Sequence, residues 1–378
     1  MSTTSNKVMT EQSRVNNFDF LRFLAASLVL FSHSFRVSYR NGGDEPLSIL
    51  THGQATFGSL AVAVFFVISG FLITMSYENS TSGMQFVVKR GLRIFPALFI
   101  AIILTSFVLG PVVTRLSIPE YLMHPLTYTY LSNISLVHMQ WELPGVFEEQ
   151  PWEKIVNASL WTLYYELLCY IAVLALGILR LLRWQTVLGI FLLCLFVTVV
   201  DHDWRGVSLL WRLNDLFAAI KPPSGTAAPY AELGAYFASG SLIYLLRSSV
   251  PLNGVFALIC ICILAIAARV GGFTQAFILF GGYVTVYLAF SKWLSASGFA
   301  GYGDFSYGIY IYAFPIQQAV CQFFMPDITW QITFFVSYPV IFVCAYFSWH
   351  LIEKPSLSRK RIFQRTSMQN EASAGQGG

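Results

Sequence analysis

The stretch Arg22–His33, "RFLAASLVLFSH", decides how this sequence is read. Ten residues, nearly all apolar, separate a guanidinium from an imidazole. The apolar run extends over 18–38, close to the ~20 residues a helix needs to cross the hydrocarbon of a bilayer. On a helix, positions eleven apart lie about 20° from the same face and roughly 16 Å along the axis. Ionisable residues within a span are costly and face the bundle interior or a wet cavity. The segment therefore predicts a transmembrane helix that turns a cation and a titratable ring into one groove at two depths. Taken singly, Arg22 also reads as an interface anchor with a snorkelling head, and His33 as an interhelical hydrogen bond.

The rest of the chain agrees with a membrane reading. Of 378 residues, 56% are hydrophobic and 11% charged, against about a quarter charged in a soluble domain. Mean hydropathy is +0.61. Further apolar segments fall at 57–77, 92–113, 158–180, 185–201, 229–247, 252–269, 272–291, 304–325 and 329–352, making about ten spans with the first. The predicted fold class is an all-α integral membrane protein. The shorter stretch 207–220 carries Arg212 and Asp215 and suits an interfacial helix. With the N-terminus inside, fourteen Lys and Arg fall in inner loops and eight in outer ones, Arg22 set aside as intramembrane. That bias predicts N-in and C-in.

Residues 1–17 then form a cytoplasmic segment, 18–355 the membrane domain, and 356–378 a basic, then disordered, tail. The first helix lacks a small-residue cleavage site and reads as retained. The formal charge of +4 is too small to imply nucleic acid. The six cysteines lie in apolar segments without metal spacing, and no cluster suggests a metal. The long loop 114–157 is expected to face outward, with Trp141 and Trp152 as interface anchors.

Four motifs add chemistry. Glu166, in "LWTLYYELLCY", lies about 12 Å below the outer end of its helix, and His33 about 8 Å below the end of its own. A carboxylate at that depth is expected to orient the ring and raise its basicity, or else to be held by Tyr164 or Tyr165. In "KRGLRIFP", 89–96, Arg90 and Arg93 share a face at i, i+3. They read as a positive-inside anchor, or as a phosphate clamp near a helix N-terminus. Ser69 and Gly70, in "FFVISGFLI", suit close helix contact or a substrate slot. In "DFSYGIYIYAFP", 304–315, the tyrosines suit aromatic packing or the border of a polar cavity.

Together these pieces resemble the membrane-bound acyltransferase 3 family. The resemblance rests on "FDFLRFLAASLVLFSH" (18–33), "FFVISGFLI" (65–73), "RGLRIFP" (90–96), "LWTLYYEL" (160–167), "SYGIYIYAFP" (306–315) and "IEKP" (352–355). It implies O-acylation of glycans, lipid-linked sugars or small molecules from a cytoplasmic acyl-CoA, by default acetyl-CoA. It further implies that His33 is the catalytic histidine, Glu166 the acidic position, and Arg22, Arg90 and Arg93 the functional arginines. Where relatives often carry a second histidine before the proline, this sequence has Ala313. The chain resembles the form without an SGNH domain.

The expected activity is acyl transfer from acyl-CoA to a hydroxyl of a glycan or lipid-linked saccharide, in a bacterial inner membrane. CoA phosphates would dock on Arg90 and Arg93, the arm would pass Arg22, and the thioester would reach His33. The rival class is a proton-coupled transporter of a small anion or sugar. Against it stands the lack of an internal repeat.

Overall fold

The computed structural model describes residues 16–39, 43–203, 228–294 and 296–359. The N-terminal segment, the expected interfacial helix 207–220 and the basic tail lie outside the described residues. A helix forms at each of the ten apolar segments. They are α1 Phe18–Ser38, α2 Phe57–Glu78, α3 Gly83–Leu104, α4 Trp161–Ile178, α5 Trp184–Asp203, α6 Ala228–Leu245, α7 Gly254–Val270, α8 Phe273–Phe290, α9 Ser306–Phe324 and α10 Trp330–Phe347. Among the described residues no β-strand forms, only a bridge between Thr114 and Val146. The protein is an all-helical integral membrane protein.

Six of the helices are long and apolar enough to cross a bilayer, and α7 and most of α5 are shorter apolar helices. The other two, α6 and α9, are less apolar because protein surrounds them. Most of their residues are buried, including Gln317 and Gln318 on α9. Such side chains survive at depth by bonding to neighbouring backbone. Gln317 donates to the Leu30 carbonyl (2.8 Å) and Gln318 to the Trp152 and Ile155 carbonyls (2.8 and 2.9 Å).

Helices α2 and α6 meet backbone to backbone. A Cβ on Gly70 would lie 1.9 Å from the Phe237 carbonyl oxygen, and one on Gly240 would lie 2.0 Å from that of Val67. Ser241 donates to the Gly70 carbonyl (3.1 Å), and its hydroxyl accepts from Thr74 (2.9 Å). Of the two expectations for Gly70, close helix contact is realised, whereas the neighbouring Ser69 faces the cavity.

Three local departures matter for the site. Helix α3 starts at Gly83, with the Ser82 hydroxyl capping the Gln85 amide (3.2 Å), nine residues before the apolar run at 92. Hydropathy marks only the apolar part of a helix whose first turns are polar. Arg90 therefore lies about two turns inside, beyond the first turn where a helix dipole acts. Second, α10 passes through a π turn, Ser348–Glu353, before ending at Ser358. Such turns re-aim side chains and are frequent at functional sites. Third, the loop 114–157 packs back onto α9: Gln322 donates to the Val113 carbonyl and Gln150 to that of Gln318, both at 2.8 Å. Trp152, expected as an interface anchor, packs instead on His33 and Phe314.

Candidate active site

Four helices converge where α1, α3 and α9 approach the end of α10. Arg22 donates to Asp304 at 2.9 Å and to Asp19, one turn before it, at 2.8 Å. Arg93 donates to the same Asp304 oxygen at 2.5 Å and to Glu353 at 3.4 Å. The other Asp304 oxygen accepts from the Ser306 hydroxyl (2.5 Å) and amide (3.3 Å), at the start of α9. The free oxygen of Glu353 accepts from Ser348 (3.0 Å) across the π turn. Asp304 is thus the node of a lattice that clamps two guanidiniums. Each of the two spends two N–H groups on carboxylates, while the buried Nε of Arg22 has no partner.

Arg90 differs. Its one side-chain hydrogen bond among the described residues is to the Ser76 hydroxyl (3.3 Å), no described carboxylate forms an ion pair with it, and its buried Nε has no partner. Of the three arginines it is the one without a carboxylate partner among the described residues. Glu166 stands on the facing helix α4, and its Oε1 accepts from Ser69 (3.0 Å) and from Tyr170.

These residues line one cavity of about 110 Å³, with Arg22, Arg90 and Arg93 at one end and Thr162 and Tyr310, hydrogen-bonded to each other, at the other. At the ~10–15 Å³ that one water needs, this space holds on the order of ten small groups. A linear chain fits such a space. Tyr307 narrows the cavity from α9, its hydroxyl donating to the Ile94 carbonyl (2.9 Å). The tyrosines of this segment therefore border the polar cavity as well as packing in the core.

One helical turn beyond Tyr310, Phe314 meets the edge of His33 at 5.4 Å between ring centres. Trp152 closes the triangle at 5.0 Å from Phe314 and 6.2 Å from His33, with the Arg36 guanidinium 4.6 Å over its ring. His33 is partly exposed, yet its Nδ1 is buried without a hydrogen-bond partner. Four of the five residues singled out in the sequence thus share the cavity, and His33 lies outside its lining, against Phe314 one helical turn beyond Tyr310. No hydrogen bond joins His33 to Glu166. Counting along helices equates their depths, but Glu166 is turned toward Ser69 and Tyr170.

Over residues 15–352 the sequence matches the acyltransferase 3 model, described as an acyltransferase domain. The chain belongs to that family. It is 29% identical over 349 residues to a protein of Shigella phage Sf6 named O-acetyl transferase, covering 91% of this chain and 96% of the relative. It is 38% identical over 162 residues to Nodulation protein 10 of Rhizobium leguminosarum bv. viciae, covering 41% of this chain and 42% of that one. No solved structure matches the chain.

This membrane acyltransferase uses residues that the sequence reading passed over. Asp304 sits in "GDFS", where an acidic residue before a helix reads as a cap, and Glu353 sits in "IEKP". Both lie more than 200 positions from Arg93. No local pattern announces such a partner. A buried carboxylate in an apolar chain is itself the available signal. Among the described residues no group of His, Cys, Asp and Glu is arranged to hold a metal.

Proposed function

We propose that this protein is a membrane O-acetyltransferase that moves an acetyl group from acetyl-CoA at the arginine end to a hydroxyl of a glycan or lipid-linked saccharide at the histidine end. The observation that carries this reading is the position of the cavity. It starts at a guanidinium with no described carboxylate partner and stops one helical turn short of an unpartnered imidazole. The phage relative's name supports the acetyl group and the oxygen acceptor.

In this mechanism Arg90 holds donor phosphate, the thioester arm lies along the cavity, and neutral His33 acts as general base. As the acceptor oxygen attacks the thioester carbonyl, its proton passes to His33. The new C–O bond forms, the C–S bond breaks, and the thiolate takes the proton from the imidazolium to leave as free CoA. Glu166 acts on the route, positioning the Ser69 and Tyr170 hydroxyls. Arg22 and Arg93, held by carboxylates, fix the wall on which Arg90 works. A bacterial inner membrane, with the arginine end facing the cytoplasm, supplies the donor on the correct side.

Proteoliposomes loaded with labelled acetyl-CoA and an extract of envelope saccharides test the reading. Label should move to the saccharide, with one free CoA released per ester formed. Transport of an unmodified solute, with no ester formed, would instead establish the carrier class.

A further inference from the structure

A second depression lies beside the arginine end, between the turn that joins α2 to α3 and the turn that joins α4 to α5. It encloses about 460 Å³ and is lined by Glu78, Ser80, Ser82, Arg180 and Arg183, among others. That volume falls in the range of small-molecule sites, and the depression is more open than the inner cavity. Neither Arg180 nor Arg183 forms an ion pair with a described residue, and both are exposed. The one carboxylate in the lining, Glu78, is already engaged by Tyr244 (2.8 Å) and Arg247 (3.2 Å). The basin therefore presents two uncompensated guanidiniums. One wall is fixed by Gly177, where a Cβ would lie 2.0 Å from the Tyr77 ring.

Helix α2 runs between the two, with Ser69 and Leu72 lining the inner cavity and Tyr77 and Glu78 lining the basin. On it Ser69 and Ser76 lie within about 20° of a common line, roughly 10 Å apart along the axis, and Ser80 follows in the turn just past its end. Each hydroxyl meets a charged group in turn: Ser80 accepts from Lys89 (3.0 Å), Ser76 from Arg90 (3.3 Å), and Ser69 donates to Glu166 (3.0 Å). A polar stripe along a membrane helix, leading from an open basic basin to a narrow closed end, has the shape of a molecule with a bulky anionic head and a thin polar tail.

We propose that the basin is the subsite for the nucleotide end of a CoA thioester, with Arg180 and Arg183 on its ribose 3′-phosphate. The diphosphate then lies at Lys89 and Arg90, and the pantetheine arm runs past Ser76 toward Ser69. This rests on the acyl-CoA reading above and adds residues outside every motif that carries it. It also explains the narrowness of the inner cavity, which receives only the arm.

Calorimetry of the purified full chain with CoA and with 3′-dephospho-CoA tests the assignment. The intact protein should bind CoA at least tenfold more tightly. R180A/R183A should lower that ratio to near one while leaving the dephospho-CoA affinity unchanged. R180K/R183K should keep most of the preference, which guards against a variant that merely unfolds. Equal affinity of the intact protein for the two ligands, or a preference that survives in R180A/R183A, overturns the subsite alone. Binding of neither ligand overturns the acyl-CoA reading itself.

Discussion

The two ends of the cavity are built on opposite principles. At one end charge is abundant and nearly all committed, with Arg22 and Arg93 held by Asp19, Asp304 and Glu353. At the other end an imidazole is surrounded by aromatic rings, with a buried nitrogen that nothing satisfies. Opposed charges that pair within a bundle hold helices in one arrangement, and removing one partner strands the other. A buried polar atom without a hydrogen bond costs free energy, so what the ring adds to stability comes from its aromatic neighbours alone. On the proposed function, the difference separates residues that hold the site from the residue proposed to react.

The contrast breaks most directly at His33. H33A should remove the general base, lowering transfer by roughly 10²–10⁴-fold, while the protein stays folded in detergent with a modest fall in melting temperature from the lost ring contacts. Loss of folded protein in that variant would make His33 a scaffold residue. D304N should do the converse, stranding Arg22 and Arg93 and costing about 3–5 kcal/mol of stability, read as a fall in melting temperature that D304E partly restores. An unaltered melting temperature would mean that the lattice does not hold the helices. G70A tests packing without charge: the added carbon must push α6 away from α2, at about 1–3 kcal/mol, and thermal denaturation reads it.

R90A sharpens the comparison from the side of the cation that no described carboxylate pairs. Losing a charge-assisted contact of about 1.5–3 kcal/mol should raise the KM for acetyl-CoA roughly ten- to a hundredfold with kcat little changed, whereas a matching loss of kcat would place Arg90 in the reaction itself. The smallest effect belongs to R115A. In the loop 114–157 Arg115 pairs with Glu149 and holds that carboxyl below its usual range through their hydrogen bond. Both groups are exposed, so neither the melting temperature nor the rate should change measurably.

Much of the fold was open to reading because lipid imposes a simple rule. Segments of about 20 apolar residues become helices, and all ten expected here are helical. The rule speaks only of lipid-facing apolar length. It set the start of α3 at 92 and missed the polar turns from Gly83 that carry Arg90. It had nothing to say of the π turn that presents Glu353 to Arg93, or of the loop 114–157, bound to α9 by Gln150, Gln318 and Gln322.

The site was legible in its members and not in its pairings. Arg22, Arg90, Arg93 and Glu166 do gather around one cavity, because each is an ionisable group that the bilayer repels. The expected contact of Glu166 with His33 came from counting along two helices. Such counting fixes height and leaves the direction of each side chain open. Asp304 escaped notice because its partners stand on helices distant in sequence, and only the packed bundle brings them within reach.

The seating of Gly70 on Phe237 and of Gly240 on Val67 has a mechanical meaning. With backbone against backbone, α2 and α6 form a single stiff beam, and one side of that beam carries Ser69 and Ser76, which meet Glu166 and Arg90. A rail of this kind cannot slide or tilt without parting two backbones. Gly177 seats α4 against Tyr77 of α2 in the same way, so the beam also carries one wall of the basin.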